Sequence, residues 1–271
     1  MSQITKPTSL LRIVVGLSLL TGCGARTSLP APDQGGGGAG GSAGGAGGMG
    51  GAGGAGGEPQ VCTPIPIPAL VGTIRDLTPA NPDFEGDFLG DDRGIVGATL
   101  GPDRAPTYEG QTDNPSTHGD DAFFAWFHDV PGANLSQPFE LSLGPLGGAS
   151  VGVVDDAFFP IDGQLLGNQG REHNYHFTLA TSASFRYFGG EVLGFAGDDD
   201  LFVFIDDRLV LDLGGVHSTE SGVVDLGAIA ASLNLAVGSD YVLDLFFAER
   251  HTTGSTFRLF LDNFRTCEPT R

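Results

Sequence analysis

The sequence predicts an all-β fold, a single β-sandwich or barrel domain behind a disordered, flexible N-terminal tether. Three observations carry this expectation. From Val71 onward, Gly, Pro and Asp punctuate the chain at short intervals, with apolar runs of strand length between them. Helical periodicity is scarce over the same region. The glycine excess, 45 of 271 residues, is concentrated in one tract and leaves the rest with an ordinary globular composition.

Taken in order, the N-terminus reads as an export signal over residues 1–22. Lys6 and Arg12 supply a basic start, and Ile13 to Leu20 (IVVGLSLL) is an apolar core too short to span a bilayer as a lasting anchor. Leu20-Thr21-Gly22-Cys23 matches the bacterial lipobox, so Cys23 is the expected lipidation site. Gly24, where Asp favours retention in the inner membrane, points to the outer membrane or cell surface. Residues 23–60 form the tether: Gly35 to Gly57 is almost wholly Gly and Ala, a tract that buries no core and spans roughly 25–30 Å as a random coil.

Residues 61–271 form the predicted domain. VCTPIPIPAL (Val61–Leu70) is proline-rich and extended. LFVFI (Leu201–Ile205), RLVLDL (Arg208–Leu213), YVLDLFF (Tyr241–Phe247) and FRLFLDNF (Phe257–Phe264) read as strands. Asp206-Asp207 reads as the tight turn of a hairpin, although Gly is commoner at the second position. DLGAIAASLNL (Asp225–Leu235) is the best helical candidate. Cys62 and Cys267 bracket the domain, and in an exported chain two such cysteines are expected to form a disulfide.

Composition excludes several function classes. With 33 acidic residues against 13 basic, the chain carries a formal charge of −20, which disfavours nucleic acid and anionic membranes as partners. Lys6 is the only lysine, so Schiff-base and P-loop chemistry are absent from the mature chain. No nucleophile elbow or Ser-His-Asp pattern appears. A polysaccharide hydrolase built on two carboxylates stays open as a lesser alternative.

Five blocks then carry a resemblance: Thr73–Glu85, Phe123–Leu135, Phe158–Thr178, Gly197–Ser218 and Leu243–Leu259. In this order they resemble the bacterial fibro-slime domain, itself similar to the protective-antigen-type β-sandwich. That resemblance implies a surface, matrix or slime-associated role. Some members of the wider group bind glycans through a calcium ion held by two consecutive aspartates. Asp207 departs from the pattern, standing where the family hairpin often has Gly.

The candidate sites follow. Asp198, Asp199 and Asp200 form the expected calcium site, because a hard cation takes carboxylate oxygens and relieves their repulsion. The plainer alternative is a solvated Asx-type turn capping the next strand. His217, Arg250 and His251 sit at the ends of strand-like runs, as contacts for a sugar or anion or as loop-stabilising groups, with an Arg250–carboxylate bridge the plainer reading. Trp126, in FFAWF, is either core or an exposed stacking platform. His173 and His176 could mimic a zinc site only across a turn, and Asp155–Asp156 is a rival acidic pair. The expected function is a lipid-anchored envelope module that recognises a polysaccharide or surface glycan. The alternative is a structural or assembly role with a protein partner.

Overall fold

In the sequence Asp200–Ile205 every residue is buried, which a strand achieves only when both faces of its sheet are covered. That requirement organises the molecule. The computed structural model describes residues 62–85, 90–110, 112, 115–252 and 254–269. Cys23, the signal segment and the Gly/Ala tract lie outside the described residues.

The described elements begin with β1 (Cys62–Pro66), β2 (Ala69–Leu77), β3 (Gly90–Asp91), β4 (Val96–Leu100) and β5 (Pro106–Tyr108). Helix α1 (Asp120–Phe127) follows, then β6 (Asn134–Ser142), β7 (Gly144–Gly147), β8 (Ser150–Asp155), β9 (Phe177–Arg186) and β10 (Val192–Gly197). Next come β11 (Asp200–Ile205), β12 (Arg208–Leu213), β13 (Gly215–Val216), β14 (Glu220–Asp225) and helix α2 (Leu226–Leu233). The series closes with β15 (Asp240–Glu249), β16 (Phe257–Asp262) and β17 (Arg265–Pro269).

The larger sheet runs β1-β17-β9-β15-β11-β12-β4-β5, with β2 joined to β9 and carrying β6. The smaller sheet runs β14-β10-β16-β8-β7, and β3 and β13 form a short separate pair. The fold is all-β and sandwich-like, as expected. One core lies between the sheets: Leu201, Val203, Leu245 and Phe247 of the larger face Leu193, Phe195, Leu259 and Leu261 of the smaller. The alternate residues, Phe202, Phe204, Phe246 and Ala248, point the other way and pack under α1. Strands β11 and β15 are therefore buried on both sides.

Helix α1 corrects one expectation. Within DDAFFAWF, Phe123, Ala125, Trp126 and Phe127 are buried, and Trp126 is fully so. Trp126 is thus a core residue and offers no exposed stacking surface. Its Nε1 donates to Asp83 Oδ2 at 3.0 Å, which satisfies the one polar atom the ring takes into the interior.

The hairpin turn is as read. Asp206 and Asp207 both have positive φ, 49° and 66°, the pattern of a two-residue turn whose twist matches the flanking strands. Asp tolerates this region better than most residues. The charge that replaces the usual Gly is matched by Arg104, whose Nη1 donates to Asp207 at 2.7 Å and whose Nη2 donates to Asp244 at 2.6 Å.

At the termini of the domain, β1 and β17 pair antiparallel with Cys62 opposite Pro269 and Pro64 opposite Cys267. The two cysteine positions are thus offset by two residues in the register of the ribbon.

Candidate functional site

Asp198 and Asp199 form the connection from β10, in the smaller sheet, to β11, in the larger, and Asp200 opens β11. A segment that leaves one sheet for the other turns its backbone away from both ladders, and the carboxylates take over the hydrogen bonding of the loops around it. Asp198 Oδ1 accepts from the Thr256 amide at 2.5 Å. Asp199 accepts from the amides of His217 (3.3 Å) and Arg250 (3.0 Å). The peptide between Asp198 and Asp199 is cis.

Asp200 is different. Arg250 grips it with Nε to Oδ2 at 2.6 Å and Nη2 to Oδ1 at 3.0 Å, and the Gly215 amide adds a third bond at 2.8 Å. Both side chains are fully buried. Arg250 goes on to the carbonyls of Asp83 (3.2 Å) and Ser116 (2.9 Å), and its guanidinium carbon lies 4.7 Å from the Trp126 ring centroid. A buried bidentate pair with every donor used is a structural clamp. The geometry therefore gives Asp200 and Arg250 to the fold: neither lines the cavity beside them.

That cavity, of about 210 Å³, is lined by Asp198, Asp199, His217, Thr219, Glu249 and His251 among others. Of the residues singled out from the sequence, the structure thus brings Asp198, Asp199, His217 and His251 together. His217 is buried, with Nδ1 3.0 Å from the Ser218 carbonyl. Sequence reading assigned Glu249 no ligand role, yet it is the most telling member. It is buried, and its Oε2 has no hydrogen-bond partner among the described residues. The signal was available in AERH: a carboxylate one residue before the clamp arginine, at the end of a strand buried from Leu243 onward.

The electrostatics follow from that burial. Desolvation pushes the Asp199 carboxyl up to about 8, with the charge of Asp200 adding to it and that of Arg250 opposing it. Desolvation also raises Glu249 well above the ordinary range, reinforced by Asp199. Asp198 is raised by burial against the hydrogen bond from Thr256. Burial is the largest cause for all three carboxyls, and a positive charge in the cavity would oppose it. Among the described residues, no group of three or more His, Cys, Asp and Glu side chains is placed to hold a metal ion together. A cation here would draw on backbone carbonyls and water as well, which calcium accepts readily.

The remaining candidates separate. His173 pairs with Asp162 at 2.6 Å and stacks on Phe159, whereas His176 is buried against Glu85 at 2.8 Å. The two histidines serve different carboxylates and share no site. Asp155 accepts from the Ala157 amide at 2.9 Å, and Asp156 is paired with Arg258 at 2.6 Å, so this acidic pair is a turn and an exposed bridge. No helix among the described residues is long and apolar enough to cross a membrane.

Two stacked sheets, with a polar, carboxylate-lined cavity where the chain passes between them, define a β-sandwich module with its candidate site in the loops. The PA14 domain model, the protective-antigen type, matches residues 162–267, so this segment is similar to a PA14 domain. In sequence it is 38% identical over 215 residues to Protein psiD of Dictyostelium discoideum, covering 73% of this chain and 42% of that one. It is 36% identical to Protein psiC of the same organism, again covering 73% and 42%. The chain thus spans about two fifths of the length of these relatives. A solved PA14 sugar-binding domain from an RTX adhesin superposes at a TM-score of 0.32 and 8% identity, covering 74% of this chain and 95% of that one.

Proposed function

We propose that this protein is a non-catalytic, exported binding or adhesion module that recognises a glycan through the loops around Asp198 and Asp199, with calcium held in the adjoining cavity. The observation that carries the reading is the convergence of Asp198, Asp199 and the unpartnered Oε2 of Glu249 on one polar cavity. Calcium would be held by one or two of those carboxylates with loop carbonyls and water, and would supply the positive charge that lets them ionise. A bound divalent ion can also orient sugar hydroxyls, while His217, His251 and Thr219 line the remaining wall. The PA14 match over residues 162–267, which contains all these residues, supports the glycan class.

The narrower fibro-slime assignment rests on the five ordered sequence blocks. Attachment to the envelope through lipidated Cys23, on the outer membrane or cell surface, rests on the lipobox sequence. A glycan array probed with the purified protein tests the functional reading. Binding should appear with calcium and be lost with EGTA and in Asp199→Asn. A blank array with one dominant protein cross-linked on cells would favour the assembly role instead.

A further inference from the structure

A second cavity, of about 300 Å³, opens between α1 and the turn joining β4 to β5. It shares no lining residue with the cavity at Asp199. Its walls are rings: Tyr108, Phe123, Phe124 and His128, with Asp103 and Asp120 at the margin. Phe124 is 47% exposed, against 3% for Phe123 and none for Trp126 in the same helix. The exposed ring of FFAWF is therefore Phe124, two residues before Trp126.

The surface is held in place. Phe124 lies parallel on His128, with centroids 3.8 Å apart and planes 3° apart. The His128 ring is fixed at both nitrogens, Nδ1 3.0 Å from the Phe124 carbonyl and Nε2 2.8 Å from Asp103 Oδ2. Tyr108 is set against Phe123 at 5.3 Å and bonded through its hydroxyl to Thr117 at 2.9 Å. A ligand meeting this groove finds side chains already ordered and loses little entropy in ordering them. A volume of about 300 Å³ is at the lower end of small-ligand pockets, the size of a single ring.

The chemistry selects the ligand class. Flat aromatic faces accept the apolar C–H face of a ring, and carboxylates at the margin accept from hydroxyls around its edge. Asp103 is already shared with His128, so the groove lacks the unshared anionic cluster that would favour a cation. We propose that this groove is a second, metal-independent carbohydrate subsite, binding one pyranose ring of a neutral oligosaccharide on Phe124, with its hydroxyls donating to Asp120 and Asp103. It extends the glycan-binding reading, but its evidence is the groove itself, so the two stand or fall separately.

The test is saturation-transfer NMR and calorimetry on the purified protein in excess EGTA, with cellohexaose, laminarihexaose and mannohexaose as probes. At least one should bind, receiving saturation from aromatic protons. Phe124→Ala should weaken it at least tenfold and Asp120→Asn several-fold, while Asp199→Asn leaves it unchanged. Because Phe124 is half exposed, its removal should leave the circular dichroism and Tm near wild type. The proposal is overturned if no probe binds under EGTA, if Phe124→Ala binds as wild type does, or if only tetramethylammonium binds. Loss of calcium-dependent binding alone, in Asp199→Asn, bears on the other site and leaves this one standing.

Discussion

Asp199 and Glu249 occupy a cavity where charging either one is costly, and this gives the site a measurable pH signature. The Asp199 carboxyl moves from an ordinary 3.8 to about 8. A carboxyl raised in the folded state retains a proton that the unfolded chain has lost. Its stabilising effect is thus fully present below the unfolded value and disappears as pH rises towards 8. In EGTA, urea unfolding of wild type should lose stability relative to Asp199→Asn between about pH 4 and pH 8. A difference between the two that does not vary with pH would contradict the assignment. Arg250 makes the opposite case. Its removal leaves Asp200 buried without a partner, so Arg250→Met should cost about 3–5 kcal/mol in urea unfolding. A loss under about 1 kcal/mol, the size of an exposed pair, would mean that the clamp is not structural.

Helix α1 shows what one element contributes and why it was hard to read. Its eight residues are two Asp followed by six Phe, Ala and Trp positions, so no polar face interrupts the apolar run. The helix covers the outer side of the larger sheet with Phe123, Trp126 and Phe127, and the apolar but exposed Phe124 hides the 3.6-residue period. Trp126→Ala should cost about 3–5 kcal/mol in thermal or urea unfolding, because it opens the core beneath Arg250. A cost near that of a surface substitution would contradict the packing. The strands were easier. Arg208–Leu213 was read as β12 at both ends, and Leu201–Ile205 lacked only Asp200. The helix read at Asp225–Leu235 is α2 with its Asp225 cap, whose side chain accepts from the Ala228 amide. The termini carry a further proposal: Cys62 and Cys267 form a disulfide, supported by the antiparallel pairing of β1 with β17 that brings their backbones to neighbouring register positions. Thiol titration of the denatured, unreduced domain should find neither cysteine free; two free thiols would refute it.

Across the whole molecule, the carboxylates divide by partner rather than by position in sequence. Asp198, Asp199 and Asp200 are consecutive, yet the first two face a cavity and the third is sealed by Arg250. No pattern in GDDDL separates them. The division depends on Arg250, fifty residues away, and on which loop amides arrive beside each carboxylate. The run of aspartates thus marks a candidate site, and long-range packing places two of the three with Glu249 beside one cavity. Calcium calorimetry compares those members directly, on the wild-type protein, Asp199→Asn and Glu249→Gln. Burial holds Glu249 towards its neutral form without an ion, so Gln should preserve the fold while removing a ligand. One calcium should bind per chain in wild type, with affinity reduced at least tenfold in each variant. No calcium heat in wild type, or equal affinity in all three proteins, would contradict the site.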